Sequence, residues 1–544
     1  MTDESTDIGT VKNSCVAIRF YDKVSGCIES KFWELYKVYE DGDLNVEKAS
    51  TAENLYNGVV KTLQQLNIPF ANIIGFGADG CNTMMGIPSV IHFAFGTFMA
   101  WSPTTVPILQ EEDSPVPLTP DQGSWIVSIN SLTSLVAVFT TAYVADVFGR
   151  KTLILAGAVP ALIWWLMVAF ANSYEMLITA RAIGSLTGGF IGGSTTMFVC
   201  EIADIKIRGT LMAFHNILMH CGSLLMYCIV PYLPVATVAF SCISVPIIFL
   251  LTFIWMPKTP YFYLLQGRES EAVKSLVRYK GELTPEELQF ELETMYKAIR
   301  QKQETKGKWK DVFLVPVYRR TLLLMLGYGL IHTSMGSIAF ANYTTYIFQK
   351  SGSEIDANVS SIIVTAVSLV ASLGSSFVIE RVGRRPLAVG TALVMGVCLA
   401  IMGGYFYADA VQGDVNSVFD WVPLTCFICY NLCNSGASTP IGSLLTGEVF
   451  HVSVKAICLT LYSTTIALYG FVLKKLFQVV SDGLGAYYSF WAFSFMCFVC
   501  AVYMYKLLPE TRGKTFAEIN DDMENITVGH ADGDNKDSTK TGSG

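Results

Sequence analysis

Two pairs of charged residues occur at the same spacing in the two halves of the chain. Glu201 is followed by Arg208, and Glu448 is followed by Lys455, so an acid precedes a base by seven residues each time. Partly solvated ion pairs are individually modest and can be broken and remade. The chemistry that these residues indicate is reversible contact between the ends of helices.

Several polar side chains lie inside otherwise apolar runs. His332 is the strongest candidate for touching a solute, because an imidazole is uncommon at membrane depth and both of its nitrogens need partners. The alternative for each Ser, Thr or Asn is a hydrogen bond to its own helix or to a neighbouring one. The other members of this group are Asn130, His220, Thr333, Asn342, Tyr343 and Thr345.

The apolar runs that must position these residues are long enough to cross a membrane. Only 15% of the 544 residues are charged, against about a quarter in an ordinary soluble domain. A membrane-spanning helix needs about 20 mostly apolar residues. The chain therefore reads as an all-α membrane protein with spans at Ile87–Leu109, Gly123–Val147, Thr152–Asn172, Met176–Cys200, Thr210–Tyr232, Val235–Met256, Thr321–Phe348, Ser360–Ile379, Pro386–Tyr407, Phe419–Val449, Ala456–Val480 and Tyr487–Leu508.

The distribution of charge predicts how the spans are oriented. Lys and Arg collect in the short loops "GRK", "KIRG", "ERVGRR" and "RGK", whereas the loop "QEEDSPVPLTPDQG" is acidic and has no base. Basic short loops face the cytosol, so both termini are expected there, and we expect a multi-pass protein of the plasma membrane. The 14 cysteines show no paired or metal-ligand spacing, so neither a disulfide nor a metal site is predicted.

Residues 1–86 differ from the rest in carrying charge of both signs. "SCVAIRFYD" and "SKFWELYKVYE" predict strands, "TAENLYNGVVKTLQQLNI" predicts an amphipathic helix, and "ANIIGFGADG" predicts a last strand. "DESTDI", "AIRFYD", the helix and "IIGFGADGCNTMMG" resemble, in order, the ribonuclease-H-like domain of hAT-family transposases. The resemblance implies that Asp3 and Asp79 match two metal-holding acids. No third acid follows, so we expect a truncated, catalytically inactive α/β fragment that ends at Gly86 and binds no nucleic acid.

Residues 87–520 resemble the sugar porter family of the major facilitator superfamily. The resemblance rests on "DVFGRK", "ERVGRR", "PKTP", "PETRGK" and the two acid–base pairs, which all occur in register in the two halves. It implies a twelve-helix major facilitator fold with two six-helix bundles built from inverted repeats. The expected divisions are a bundle at 87–256, a cytoplasmic linker with short helices at 257–317, a bundle at 318–508 and a cytoplasmic tail at 509–544. "FMAWSPTTVPIL" and Tyr261 are typical of insect trehalose-transporter-like members.

The same resemblance implies a charge network that closes the cytoplasmic side while the site faces outward. Its members are Asp146, Arg150, Glu201, Arg208, Glu380, Arg384, Glu448 and Lys455. The alternative is that the basic residues among them only orient the helices. Arg181 lies outside this network, toward the outer end of its span, and Lys474 and Lys475 are expected near the outer surface, where they can snorkel.

The expected substrate site departs from the hexose porter pattern. The resemblance places Asn216 where span five has Gln, His332, Thr333 and Ile338 where span seven has Gln, Gln and Asn, and Ser443 where span ten has Trp. All five positions differ from the pattern, and Ile338 is no longer polar. The predicted substrate-binding residues are Asn216, His332, Thr333, Asn342, Tyr343 and Ser443.

The sequence is compatible with two functions. The first is a facilitative transporter of trehalose, a hexose or a related polyol, acting as a monomer in the lipid bilayer without enzymatic activity or cofactors. Span one has no Asp or Glu, which favours facilitated diffusion, although His92 leaves proton coupling open. The second is a sugar sensor or receptor that kept the fold and lost transport.

Overall fold

The computed structural model describes residues 2–6, 12–22, 27–37, 87–203, 205–281, 284–304, 309–351, 355–412, 419, 421–451 and 453–507. The chain divides into two compact units, Met1–Met85 and Gly86–Gly544.

The first unit contains a three-stranded antiparallel sheet. Its strands are β1 (Thr2–Thr6), β2 (Lys12–Asp22) and β3 (Cys27–Lys37), paired in the order β1-β2-β3. β2 covers the first run for which a strand is predicted, and β3 covers the second as far as Lys37, after which the run lies outside the described residues. Asp3 lies on β1 opposite Cys15. The predicted helix, the predicted last strand and Asp79 lie outside the described residues.

The second unit begins with six long helices, which we call the first set. They are α1 (Val90–Leu109), α2 (Pro120–Phe148), α3 (Arg150–Ala169), α4 (Tyr174–Ile202), α5 (Ile205–Ile229) and α6 (Val235–Phe253). An insert of short helices follows, with α7 (Pro260–Leu265), α8 (Glu269–Lys280), α9 (Pro285–Glu304) and α10 (Trp309–Leu314).

The remaining helices form the second set. They are α11 (Pro316–Thr333), α12 (Ser337–Lys350), α13 (Ala357–Val382), α14 (Arg384–Gln412), α15 (Trp421–Cys433), α16 (Thr439–Glu448), α17 (Lys455–Gly483) and α18 (Ala486–Leu507). Between α15 and α16 the chain forms a π-helix over Asn434–Ser438.

Helix occupies each of the predicted spans, and two of them are interrupted. The span predicted as one helix over Thr321–Phe348 is divided into α11 and α12, and the span over Phe419–Val449 is divided by the π-helix. Within the described helices, seven stretches are long and apolar enough to cross a membrane. These are Arg150–Ala169, Val235–Phe253, Pro316–Lys350, Ala357–Ser375, Arg384–Val411, Lys455–Gly483 and Ala486–Leu507.

The same glycine turn joins two helices in each set. Gly149 lies between α2 and α3 with φ 89° and ψ 156°, and Gly383 lies between α13 and α14 with φ 99° and ψ 158°. This backbone region is essentially reserved for glycine. The motifs "GRK" and "GRR" therefore encode the same sharp turn twice.

Helix packing repeats between the sets as well. α2 packs on α4, and α3 on α6, in the first set, while α13 packs on α15, and α14 on α18, in the second. The sets meet where α2 packs on α17, α5 on α13 and α1 on α12. This arrangement agrees with the internal repeat predicted from the loop motifs.

The insert contains a reciprocal cap at Thr284. The Thr284 hydroxyl accepts a hydrogen bond from the backbone N–H of Glu287, at 3.3 Å, and the Glu287 carboxylate accepts one from the backbone N–H of Thr284, at 2.9 Å. This reciprocal cap begins α9. The bond from the Thr284 backbone lowers the pKa of Glu287.

Candidate functional site

A break between α11 and α12 lies beside polar residues of the second set. Gly336 has φ 95°, and a Cβ at this position would come within 2.6 Å of the Phe340 ring. The chain therefore turns here in a conformation that only glycine adopts without strain. A second kink lies inside α12 at Tyr343, where φ is −128° and ψ is 19°.

His332 and Ser334 face other helices at this break. His332 Nε2 lies 3.0 Å from Ser438 Oγ in the π-helix, and the Ser334 hydroxyl lies 2.7 Å from the Tyr469 hydroxyl on α17. Interrupted helices and π-bulges are frequent at functional sites because they expose polar groups that a regular helix satisfies. The predicted candidate His332 thus belongs to a polar junction of α11, the π-helix and α17.

Two other predicted substrate residues, Asn342 and Tyr343 of α12, line a small pocket. Tyr343 donates from its hydroxyl toward the Lys474 carbonyl and the Gln478 side-chain oxygen, both at 3.3 Å. Asn342 donates to the Ile338 carbonyl at 2.8 Å, which leaves its side-chain oxygen available. The pocket is lined by Ser102, Pro103, Val106, Pro107, Gln110, Val127, Asn342, Tyr343, Tyr346 and Gln478.

The remaining predicted substrate residues do not line that pocket. Thr333 is buried and bonds the Gly329 carbonyl of its own helix at 2.7 Å. Ser443 is exposed and bonds the Pro440 carbonyl at 2.8 Å. Asn216 is exposed on α5, while its neighbour His215 stacks on His92 of α1 with ring centroids 4.4 Å apart.

One end of the helical unit, which we call the acidic end, carries Gln110, Asp121, Lys350 and Asp482. There the two sets bond each other through α2 and α17. The Lys475 ammonium lies 2.5 Å from the Asp121 carboxylate and 2.6 Å from the Ser124 hydroxyl. Gln478 donates to the Pro120 carbonyl at 2.8 Å.

The prediction that Lys474 snorkels near the surface is wrong. Its side chain is 4% exposed and donates to Asn130 Oδ1 at 2.8 Å and to the Ser131 hydroxyl at 2.9 Å. Consecutive residues of a helix lie about 100° apart around its axis, so two neighbouring lysines cannot share a face. Lys475 lies at the rim of the α2–α17 interface, and Lys474 points into it.

Asp482 holds α12 to α17 within the second set. It accepts from Lys350 Nζ at 2.8 Å and from the Tyr346 hydroxyl. Tyr346 also lines the pocket. These bonds fix the C-terminal part of α12 against α17.

The opposite end, which we call the basic end, carries Gly149, Glu201, Gly383 and Lys455. Arg150 Nε lies 3.0 Å from a Glu201 carboxylate oxygen, and the two side chains are 3% and 13% exposed. Thr259 donates to the other Glu201 oxygen at 2.5 Å. The pair therefore joins α3, α4 and the segment before α7.

The structure describes the side chains of only some of the other predicted network residues. Lys455 donates to the Gly447 carbonyl of α16, and Arg384 is half-buried at the start of α14. The side chains of Asp146, Arg208, Glu380 and Glu448 lie outside those that the structure describes. A cytoplasmic network that reaches across the sets therefore stays a prediction.

Arg181 lies toward the acidic end of α4, as predicted, and is completely buried. Its Nη1 donates to the Phe98 carbonyl at 2.6 Å, and its guanidinium lies 4.0 Å from the centre of the Phe98 ring. The rings of Trp101 and Trp164 lie 6.0 and 5.5 Å away. Aromatic faces thus surround the cation.

Sequence reasoning missed the residues that join the sets. Asp121 belongs to a predicted loop, whereas in the structure it lies in the first turn of α2. Gln478 lies one turn after Lys474 on α17. The only signal for Gln478 was polarity inside an apolar run. Across the described ranges, no group of three or more His, Cys, Asp or Glu side chains is placed to share a metal ion.

Known proteins resemble most of this chain. A family model described as "Sugar (and other) transporter" matches residues 103–523. The "Facilitated trehalose transporter Tret1" of Drosophila virilis is 30% identical over 422 residues, which is 78% of this chain and 46% of that protein. The Drosophila simulans "Facilitated trehalose transporter Tret1-2 homolog" is also 30% identical, with 86% of its length covered. The chain spans about half the length of the first Tret1 relatives it matches.

Solved structures share the fold. The partially occluded inward-open conformation of the Escherichia coli xylose transporter XylE superimposes with a TM-score of 0.67 at 18% identity, covering 80% of this chain and 100% of that one. The major facilitator superfamily proton:xylose symporter XylE bound to 6-bromo-6-deoxy-D-glucose gives a TM-score of 0.62 at 19% identity, covering 81% and 98%. At these identities the likeness concerns the fold alone.

Proposed function

The chain belongs to the sugar (and other) transporter family, and from that membership we propose that it carries a sugar or a related polyol across a membrane by alternating access. It has the multi-pass membrane fold of the major facilitator superfamily. The proposed cargo is trehalose, a hexose or a polyol, since relatives at 30% identity are named as trehalose transporters.

The observation that carries the proposal is the polar junction at the α11–α12 break. His332 on α11 meets Ser438 in the π-helix at 3.0 Å, and Asn342 and Tyr343 of α12 line the pocket beyond it. Solute sites in secondary transporters form where helices are interrupted near the middle of the membrane. His332, Asn342 and Tyr343 are the residues that we assign to sugar binding.

The contacts at the acidic end support alternating access. Lys475 with Asp121 and Gln478 with Pro120 close the space between α2 and α17 on that side. Because these bonds join different sets, rocking of one set against the other must break them. The structure thus has the acidic end closed, and the other state of the cycle would open it.

Orientation and location follow from the same proposal. The basic end carries the Lys- and Arg-rich short loops, which places it in the cytosol and the acidic end outside. Both termini are then cytoplasmic, and we propose a monomer in the plasma membrane. Span one offers no Asp or Glu as a proton carrier, which supports facilitated diffusion.

Uptake of labelled trehalose and glucose into vesicles containing the full chain tests the proposal. We expect uptake that saturates and runs down the gradient, and His332→Ala should lower it about tenfold by removing the imidazole that meets Ser438. The matched control is His451→Ala, whose ring packs on Tyr318 at 5.1 Å near the basic end. No uptake of any sugar or polyol would contradict the proposal.

The second candidate function is a sugar sensor. It is favoured by the placement of Asn216 and Ser443 outside the pocket and by the apolar Ile338 at a position where hexose porters have Asn. Sugar binding without flux in the same vesicles would support the sensor over the transporter.

For residues 1–86 we propose a separate origin from the helical unit. Their resemblance to a truncated, inactive hAT transposase fragment remains our interpretation of the motifs around Asp3 and Asp79. A transcript read across codons 80–95 tests whether this fragment and span one are joined in the message. Metal-dependent binding of nucleic acid by the full chain would contradict the inactive assignment.

A further inference from the structure

Two cations are buried near the acidic end, and both have hydrogen-bond donors to spare. Arg181 is 0% exposed, and among the described residues its Nε and Nη2 have no hydrogen-bond partner. Lys474 is 4% exposed and uses two donors, on Asn130 and Ser131. An ammonium has three donors and a guanidinium has five.

The helices that carry the two cations contact neighbouring turns of α2. One turn beyond Arg181 on α4, the Ser185 hydroxyl contacts the Thr133 hydroxyl of α2. One turn back from Thr133, Asn130 accepts from Lys474 of α17.

No carboxylate among the described residues bonds either cation. Asp121 bonds Lys475 at the rim, and Glu175 is exposed at the start of α4. A buried charge is costly unless it is paired, and two buried charges of the same sign also repel each other. Intramembrane cations of this kind mark the route or the site of a solute.

The unbonded edge of Arg181 has the geometry that a carboxylate requires. Nε and Nη2 form one side of the guanidinium fork, which binds the two oxygens of a carboxylate through parallel hydrogen bonds. The single bond to Phe98 uses Nη1 and leaves this edge unused. A neutral sugar hydroxyl would satisfy fewer of these donors and none of the charge.

This cationic site adjoins the proposed sugar pocket. Trp101, over which Arg181 lies, precedes the pocket residue Ser102, and the pocket residue Gln478 lies one turn beyond Lys474. Val127, another pocket residue, lies one turn before Asn130 on α2. Residues that line the pocket thus lie within one helical turn of the residues that contact the two cations.

We propose that Arg181 and Lys474 bind the carboxylate of a sugar acid, so that the solutes of this protein include hexuronates. The inference rests on the proposed transport function. Because Arg181 belongs to the first set and Lys474 to the second, the bound carboxylate ties the sets together and stabilises the state with the acidic end closed.

The test compares D-glucuronate with D-glucose in vesicles containing the full chain. We expect uptake of both, and Lys474→Gln should lower the ratio of glucuronate to glucose uptake about tenfold. Glutamine removes the charge and still carries an N–H donor on this side of α17. The matched control is Lys475→Gln, which makes the same change one residue further on and should leave that ratio within about twofold.

A binding measurement on the purified full chain separates the outcomes. D-glucuronate should raise the midpoint of thermal unfolding of the native chain but not of Lys474→Gln or Arg181→Lys, and equal concentrations of sodium chloride should not. If neutral sugars move while glucuronate neither moves nor shifts the midpoint, the inference fails and the proposed function stands. If no sugar moves but glucuronate still shifts the midpoint through Lys474, the site stands and the proposed function fails. An equal shift with chloride would assign the site to an inorganic anion and overturn the inference.

Discussion

The two ends of the helical unit hold their helices by different kinds of contact. At the acidic end, Lys475 and Gln478 of the second set bond Asp121 and Pro120 of the first set. At the basic end, the Arg150–Glu201 pair stays within the first set, and Lys455 bonds Gly447 within the second. The Lys475–Asp121 ion pair between the sets thus lies partly in water, whereas the Arg150–Glu201 ion pair within the first set is buried.

The exposure of the two ion pairs indicates which of them is easier to break. The Asp121 side chain is 73% exposed, so its bond to Lys475 is screened and weak. The Arg150–Glu201 pair is 3% and 13% exposed, and breaking a buried pair is costly. In the proposed alternating-access cycle, the exposed Lys475–Asp121 pair breaks at low cost, whereas the buried Arg150–Glu201 pair stays intact within the first set.

The largest expected effect is at the basic end. Glu201→Gln removes the carboxylate charge that lies 3.0 Å from Arg150, and breaking such a buried pair costs about 3 kcal/mol. The midpoint of thermal unfolding in detergent should fall by several degrees. The control is Arg268→Gln, which removes an exposed pair with Glu271 at 3.7 Å and should leave the midpoint nearly unchanged. Equal shifts for both variants would remove the contrast between the ends.

A smaller loss is expected from the glycine turn beside that pair. Gly149→Ala places a Cβ about 2.9 Å from the Phe262 ring at φ 89°, and such backbone strain costs roughly 1–3 kcal/mol. The control is Gly192→Ala inside α4, where a Cβ would meet nothing within 4 Å. That variant should be neutral or slightly stabilising, because alanine favours a helix interior. A midpoint of thermal unfolding for Gly149→Ala that matches the control would contradict the assigned turn.

The elements could be predicted from the sequence better than their contacts. The apolar runs gave the helix positions because membrane thickness sets the length of a span. The break at Gly336 lies in an apolar run whose composition does not distinguish a bend from a straight helix. Its conformation depends on Phe340 and Phe493, which pack against it in the folded chain.

The candidate site shows the same limit. Polarity alone identified His332, but its partner Ser438 is 106 residues away in the sequence. For Lys474 and Lys475, the charge is evident from the sequence, but which of the two side chains faces α2 is not. That choice depends on the rotation of α17, which packing against the first set decides.

The smallest expected effect is at the acidic end, and it tests the comparison most directly. Asp121→Asn removes the charge that holds Lys475 across the sets, at a cost of at most about 1 kcal/mol, or about a fivefold change in population. The ring centroids of Trp125 on α2 and Phe471 on α17 lie 6.1 Å apart. Cysteines introduced by Trp125→Cys and Phe471→Cys report closure of the acidic end through their rate of cross-linking. The rate should fall severalfold in Asp121→Asn, and raising the salt should lower it in the native chain by screening the same pair. The matched control is Asp482→Asn, which removes an acid at the same end that bonds Tyr346 and Lys350 within the second set. If Asp482→Asn slowed cross-linking as much as Asp121→Asn, closure would depend on the charge of the acidic end as a whole and not on the contact between the sets.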